Sequence, residues 1–162
     1  MKILVPVDGS TASKNAVKKA IEISKAKKSY LKLITVVHYD YARMFKINEQ
    51  LWRQVDGSII IGRDTKIDDE ALKQIMVHNA SDLLESILSE FDFTNIEFET
   101  QIYFGEPYIK ILETAQNEKF DLIVIGNRGF SKIKRFFIGS VAQRVLAEAP
   151  CPVLVIHTDA EN

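Results

Sequence analysis

Short apolar runs alternate along this chain with segments of helical periodicity, and that alternation limits the fold more than any other feature. Ile3-Leu4-Val5-Pro6-Val7 reads as a first strand closed by Asp8-Gly9-Ser10, and Leu31 to Val37 as a second, broken at His38-Tyr39-Asp40. Leu122 to Ile125 and Val153-Leu154-Val155-Ile156 supply two more. Between the first two, Ala16, Val17, Ala20, Ile21 and Ser24 share one helical face, with Ser10 or Ser13 placed to cap it. The longest stripe, Ala71, Leu72, Ile75, Met76, Ala80, Leu83, Leu84, Ile87, Leu88 and Phe91, predicts an amphipathic helix. Pro107 suits the first turn of a helix running to about Glu118, with Ile111, Leu112 and Ala115 inward. A last helix is expected from about Ser140 to Ala149. Strands joined by helical crossovers pair in parallel, so the pattern predicts an α/β protein: an open, five-stranded, mostly parallel sheet with helices on both faces. One run differs. Ile96, Phe98, Thr100, Ile102 and Phe104 alternate with Glu97, Glu99, Gln101 and Tyr103, the period-two signature of a half-exposed edge strand.

Bulk properties exclude several classes. The 162 residues suit one domain over 1–162, and 46% hydrophobic with 27% charged residues is ordinary for a globular protein. A net charge of -1 leaves no electrostatic footprint for nucleic acid or an anionic membrane surface. No apolar run approaches the roughly 20 residues that cross a bilayer, and the chain enters its first strand at once, so a cytoplasmic protein is expected. The single cysteine, Cys151, lies between prolines with nothing nearby to activate its thiol, and reads as a small buried filler. His38, His78 and His157 show no metal-ligand spacing among themselves or with Cys151, so no metal site is expected. The stretch 40–68 is the least regular. Met44, Ile47, Leu51 and Val55 have helical spacing, while Asp56-Gly57 and Gly62 interrupt it. It reads as a variable connection covering apolar surface, with a lid or partner surface as the competing role.

Chemistry concentrates after the fourth strand. Gly126-Asn127-Arg128-Gly129 is followed by nine residues and then Gly139-Ser140, where a helix begins. Glycine lets backbone approach an oxyanion closely, and the free N–H groups of a helix start point toward one. The spacing therefore suits a phosphate group. The chain has no Gly-x4-Gly-Lys-Ser/Thr loop and no Gly-x-Gly-x-x-Gly after its first strand, which argues against a P-loop NTPase and a dinucleotide enzyme. Lys132, Lys134 and Arg135 add positive charge to the connecting segment and read first as a solvated basic face.

The stretch resembles the nucleotide-binding signature of the universal stress protein family, Gly-x2-Gly-x9-Gly-Ser/Thr, with every fixed position filled. The resemblance extends over nearly the whole chain and implies a Rossmann-like, adenine nucleotide alpha hydrolase-like sheet ordered 3-2-1-4-5. It implies an ATP-binding stress-response regulator or sensor acting as a homodimer, with Mg2+ or Mn2+ held mainly through the phosphates. On that resemblance Pro6, Val7 and Val36 line an adenine slot, Asp8 meets adenine and ribose, and Ile125 flanks the nucleotide. Gly126, Gly129, Gly139, Ser140 and Val141 hold the phosphates, with Arg128 placed to pair with them. Read without the resemblance, Asp8 stabilises the turn before the first helix equally well, and Pro6, Val7, Val36 and Ile125 are ordinary strand residues. An enzyme is not expected. The alternatives are a slow ATP hydrolase, for which Asp8 and Arg128 are the only obvious candidate groups, and a dimerisation module that binds no nucleotide. The apolar fifth strand Val153–Ile156, at a sheet edge, is the expected dimer seam.

Overall fold

A computed structural model describes residues 1–38, 69–127 and 138–157, with the backbone alone for residues 69–72. The elements follow in the order β1 (Lys2–Pro6), α1 (Thr11–Lys27), β2 (Tyr30–Val37), α2 (Asp69–Glu90), β3 (Phe98–Phe104), α3 (Pro107–Asn117), β4 (Leu122–Gly126), α4 (Ser140–Glu148) and β5 (Val153–Ile156). The five strands form one sheet in the order β3-β2-β1-β4-β5, and every neighbouring pair is parallel. The connection expected at 40–68 lies outside the described residues.

The central strands are buried on both faces, which is why they read as unbroken apolar runs. Successive side chains of β1 go to opposite cores. Ile3 and Val5 join Leu31 and Leu33 of β2 against Ala16, Val17 and Ala20 of α1 and Leu84 and Ile87 of α2. Leu4 and Ile34 join Ile123 and Ile125 of β4 against Ile111 and Ala115 of α3 and Ala142 and Val145 of α4. Each fully buried aliphatic side chain here contributes roughly 1.5–3 kcal/mol.

The α1 stripe is buried as its spacing implied, from Ala16 through Ser24. Ser10 is its N-cap, accepting from the Ser13 N–H at 3.2 Å while Ser13 Oγ donates back to the Ser10 carbonyl at 2.9 Å. Two stripes are narrower than expected. Among the described side chains of α2, Ala80 is the first that is buried, and Ile75, assigned to the inward face, is 57% exposed. In α3 Leu112 is only half-buried, whereas Thr114 is buried and its Oγ1 donates to the Lys110 carbonyl at 2.7 Å.

β3 stands at a sheet edge as expected, but its exposure does not alternate as the period-two pattern implied. β3 is largely exposed, with Phe98 and Phe104 in contact with solvent. β5 forms the other edge, and all four of its apolar residues are half-buried. Toward the N-terminal end of the strands, Lys32 is buried and its Nζ bonds Glu99 and Glu118, each at 2.6 Å. Among the described residues no helix is long and apolar enough to cross a membrane.

Candidate functional site

Strand order reverses between β1 and β4, and an open parallel sheet takes ligands just beyond the C-terminal strand ends at such a point. A cavity of about 300 Å³ lies there. The end of β1 contributes Pro6, Val7 and Asp8, and β2 contributes Ile34 and Val36. The end of β4 brings Ile125, Gly126 and Asn127, and the start of α4 brings Gly139, Ser140, Val141 and Ala142. Pro107 and Ile111 of α3 and Ser13 of α1 complete the wall. All the described residues named from the sequence as site candidates therefore meet around one space: Pro6, Val7, Asp8, Val36, Ile125, Gly126, Gly139, Ser140 and Val141. Arg128 and Gly129, with Lys132, Lys134 and Arg135, lie outside the described residues.

The walls are mainly apolar and the polar groups are few. Asp8 is exposed at the end of β1, where Gly9, at φ 83°, turns the chain into α1. Its Oδ1 accepts from the Ser10 N–H at 3.0 Å and from Ser10 Oγ at 2.6 Å. This is the turn-stabilising role, and it engages Oδ1, while Asp8 as a residue also lines the cavity.

The two described glycines of the motif differ. At Gly126 an added Cβ would lie 2.6 Å from the Ala12 carbonyl carbon and 2.8 Å from Ala12 Cβ. The close approach of α1 to β4 thus requires glycine there without reference to any ligand. Gly139 is the N-cap of α4, with φ -61° and ψ 152°, a conformation open to any residue. Its own N–H is directed to the Asn127 carbonyl at 2.6 Å, so it is already committed. The free N–H groups at this end of the helix therefore begin at the next residue. The first intrahelical bond runs from the Gln143 N–H to the Gly139 carbonyl, and no side chain caps the helix. The N–H groups of Ser140, Val141 and Ala142 precede that bond, and the three residues line the cavity. Together with the helix dipole they make its α4 end partially positive.

Asn127 was missed as a site residue. It is 5% exposed, its Nδ2 lies 3.0 Å from His157 Nδ1, and its Oδ1 has no hydrogen-bond partner among the described residues. Its place between the motif glycines was a signal, but the burial that matters comes from packing. Ser13, Ile34, Pro107, Ile111 and Ala142 were also missed, since only tertiary structure brings α1 and α3 to this wall.

A shallower recess shares Ser140 and Val141 with the cavity and adds Glu106, Tyr108 and Arg144. There the Arg144 guanidinium stacks over the Tyr108 ring, 4.3 Å from its centroid. Among the described residues no group of three His, Cys, Asp or Glu side chains is placed to hold a metal ion. Cys151 is half-buried rather than fully buried, and burial followed by the nearby Asp121 charge pushes its thiol pKa up, away from reactivity.

Comparison with known proteins bears on the family and the fold. The model of the universal stress protein family matches residues 1–157. Universal stress protein MJ0531 of Methanocaldococcus jannaschii is 30% identical over 155 residues, which span 96% of this chain and 81% of that protein. Among solved structures, protein MJ0577 superposes with a TM-score of 0.75 at 24% identity, covering 99% of this chain and 97% of that one. A universal stress protein in complex with cAMP matches with a TM-score of 0.57 at 23% identity, over 97% of this chain and 96% of that one. The Arabidopsis thaliana family protein At3g01520, solved with AMP bound, matches with a TM-score of 0.59 at 20% identity, over 99% and 94%. The family match over nearly the whole length, on a sheet of this order, means that the chain belongs to the universal stress protein family.

Proposed function

We propose that the protein is a cytoplasmic ATP-binding regulator or sensor that acts as a homodimer and at most hydrolyses ATP slowly. The observation that carries the reading is the uncapped start of α4 opening into an apolar cavity at the strand-order switch. A purine ring is flat and apolar-faced, and Pro6, Val7, Val36 and Ile125 offer it a slot. Asp8 Oδ2 is an acceptor for the exocyclic amine or a ribose hydroxyl. The phosphates lie at the N–H groups of Ser140, Val141 and Ala142, with the Ser140 hydroxyl beside them and Gly126 and Gly139 nearby; the family motif adds Gly129, and Arg128 as a partner for phosphate oxygens. A Mg2+ or Mn2+ ion is carried by the phosphates themselves. The family relatives solved with AMP and with cAMP support an adenine nucleotide as the ligand class. Slow turnover follows from the chemistry of the described wall, whose one carboxylate, Asp8, has an oxygen tied into the turn. The dimer forms on β5, an apolar edge whose unpaired backbone groups a second copy satisfies.

Ser140→Glu tests the site because its two effects have opposite signs. A carboxylate in the first turn favours helix α4 by about 0.3–1 kcal/mol. The same charge repels phosphate. The expected result is an unchanged or raised melting temperature with at least about tenfold weaker ATP binding by calorimetry, the factor that corresponds to about 1.4 kcal/mol. Unchanged ATP affinity in the folded variant would contradict the placement of the phosphates.

A further inference from the structure

The recess beside the cavity shares Ser140 and Val141 with it, and Glu106, Tyr108 and Arg144 form its outer wall. Helices α3 and α4 both begin at its edge, and neither start carries a side-chain cap. Their first N–H groups therefore leave a partial positive charge on that side. Arg144 follows Ser140 by four residues on α4, so the two share a face, and helical side chains lean toward the N-terminus of their helix. The guanidinium carbon lies 4.3 Å from the centroid of the Tyr108 ring, and Tyr108 belongs to the first turn of α3. That ring occupies one face of the guanidinium. The N–H donors lie in the plane of the group and point out from its edges, so stacking leaves them available. Arg144 is exposed, and among the described residues it makes no hydrogen bond and no ion pair. It is also the one cationic residue among those described that line either space. Glu106 brings a carboxylate to the same recess, but its Oε2 is 3.4 Å from His38 Nδ1 and its side chain is 43% exposed, so solvent screens the charge.

We propose that Arg144 is a specificity-determining residue that pairs with a phosphate beyond the first, so that the site prefers a nucleoside triphosphate to a monophosphate. Tyr108 is the positioning residue that holds its guanidinium. The proposal rests on the nucleotide reading of the cavity. In that reading the N–H groups at the start of α4 take up phosphate, and a longer phosphate chain has to continue from Ser140 and Val141. The recess begins at those two residues. The main cavity offers a longer chain little: its described lining is largely apolar, its one carboxylate, Asp8, repels phosphate, and it holds no cation. The recess supplies the missing charge. A guanidinium presents two parallel N–H groups to two oxygens of one phosphate, a geometry that a ring stacked on its face does not obstruct. Stacking also restricts the side chain before the ligand arrives, which lowers the ordering cost of the new bonds. A monophosphate ends at the helix start and gains nothing from Arg144.

The test is a calorimetric titration of ATP and of AMP, at one Mg2+ concentration, into wild type, Arg144→Gln, Arg144→Lys, Tyr108→Leu, Tyr108→Phe and Lys110→Gln. Each variant is first checked for a cooperative thermal transition, and the exposed Arg144 position carries the test if Tyr108→Leu fails to fold. Wild type should bind ATP at least about tenfold more tightly than AMP, the worth of one charge-assisted hydrogen bond. Arg144→Gln should bind AMP as wild type does and lose about tenfold toward ATP. Arg144→Lys keeps the charge without the fork and should fall between the two. Tyr108→Leu should shrink the ATP preference, and Tyr108→Phe, which keeps the ring, should restore it. Lys110 pairs with Glu113 on α3, outside the recess lining, and Lys110→Gln measures the general effect of removing one positive charge. That variant should keep the preference. An equal loss for both nucleotides in Arg144→Gln would overturn the proposal, as would unchanged ATP affinity there or an equal drop in Lys110→Gln. A preference that Tyr108→Leu leaves intact would overturn the positioning role. Wild type binding AMP as tightly as ATP rejects this proposal alone. Failure of wild type to bind either nucleotide rejects the nucleotide reading with it.

Discussion

At Gly126 the backbone of β4 runs so close to Ala12 that the hydrogen of glycine is all the space admits. The atoms met by an added methyl are largely backbone, which cannot rotate aside. Gly126→Ala should therefore lose about 3 kcal/mol in urea unfolding, at the upper end of overpacking effects. A weakened ATP affinity in that variant would report a displaced helix rather than a lost phosphate contact. The residue was legible in the sequence as a glycine that mattered, while its reason was not, because the helix it accommodates begins at Thr11, more than a hundred residues earlier. Lys32 was not legible at all. It sits in an apolar run whose reading as a strand says nothing of it, and it is 3% exposed. Burial opposes its charge, and the bonds to Glu118 and Glu99 outweigh burial, so its pKa rises above the ordinary lysine value. The Lys32 ammonium in turn holds the Glu99 carboxyl below its usual range. A depressed carboxylate contributes stability above its unfolded pKa and loses it as pH falls, while a raised lysine contributes below its unfolded pKa and loses it as pH rises. Lys32→Met should thus cost about 1–3 kcal/mol, a moderate figure because Glu99 keeps access to water. The gap from wild type should be widest between roughly pH 5 and pH 10 and shrink toward pH 3. Denaturant titrations at several pH values check this, and a gap that is flat down to pH 3 would contradict it.

Among the elements, those set by local periodicity were read almost to the residue. The α1 stripe, the Pro107 start of α3 and the four-residue β5 all stand where their patterns put them. What the patterns missed is how far each element reaches over the sheet. Ile75 belongs to the apolar stripe of α2 by spacing, but it is 57% exposed, and among the described side chains of that helix Ala80 is the first that is buried. Spacing fixes which face a residue takes and says nothing of whether a partner lies opposite. The two edge strands make the contrast useful. β3 carries Glu97, Glu99 and Gln101 along or beside it and tolerates solvent, whereas Val153, Leu154, Val155 and Ile156 offer no polar face. If β5 is the dimer seam, Val155→Asp places charges directly at the two-fold interface. Light scattering at micromolar concentration should give twice the 18.4 kDa chain mass for wild type and the chain mass for the variant. A wild-type mass equal to one chain, with or without ATP, would contradict the dimer.

For the whole molecule, the strand–helix alternation was enough to imply a parallel sheet, but the order 3-2-1-4-5 rested on family resemblance and on one edge-like strand. The observed order places the reversal between β1 and β4, and the cavity follows from it. The site was legible to a similar degree. Residues contributed by strand ends and by the glycine motif were foreseeable, while Asn127, Ile111 and Ser13 depend on which helices the fold brings alongside. On the proposed reading, the cavity at the first turn of α4 binds an adenine nucleotide. Calorimetric titration of the purified protein, after unfolding and refolding to remove any copurified ligand, tests it most directly. The expected result is one ATP per chain with a dissociation constant in the range of about 1–100 μM, corresponding to roughly -8 to -5.5 kcal/mol. No saturable binding of ATP, ADP or AMP at millimolar concentration by the refolded protein would contradict it.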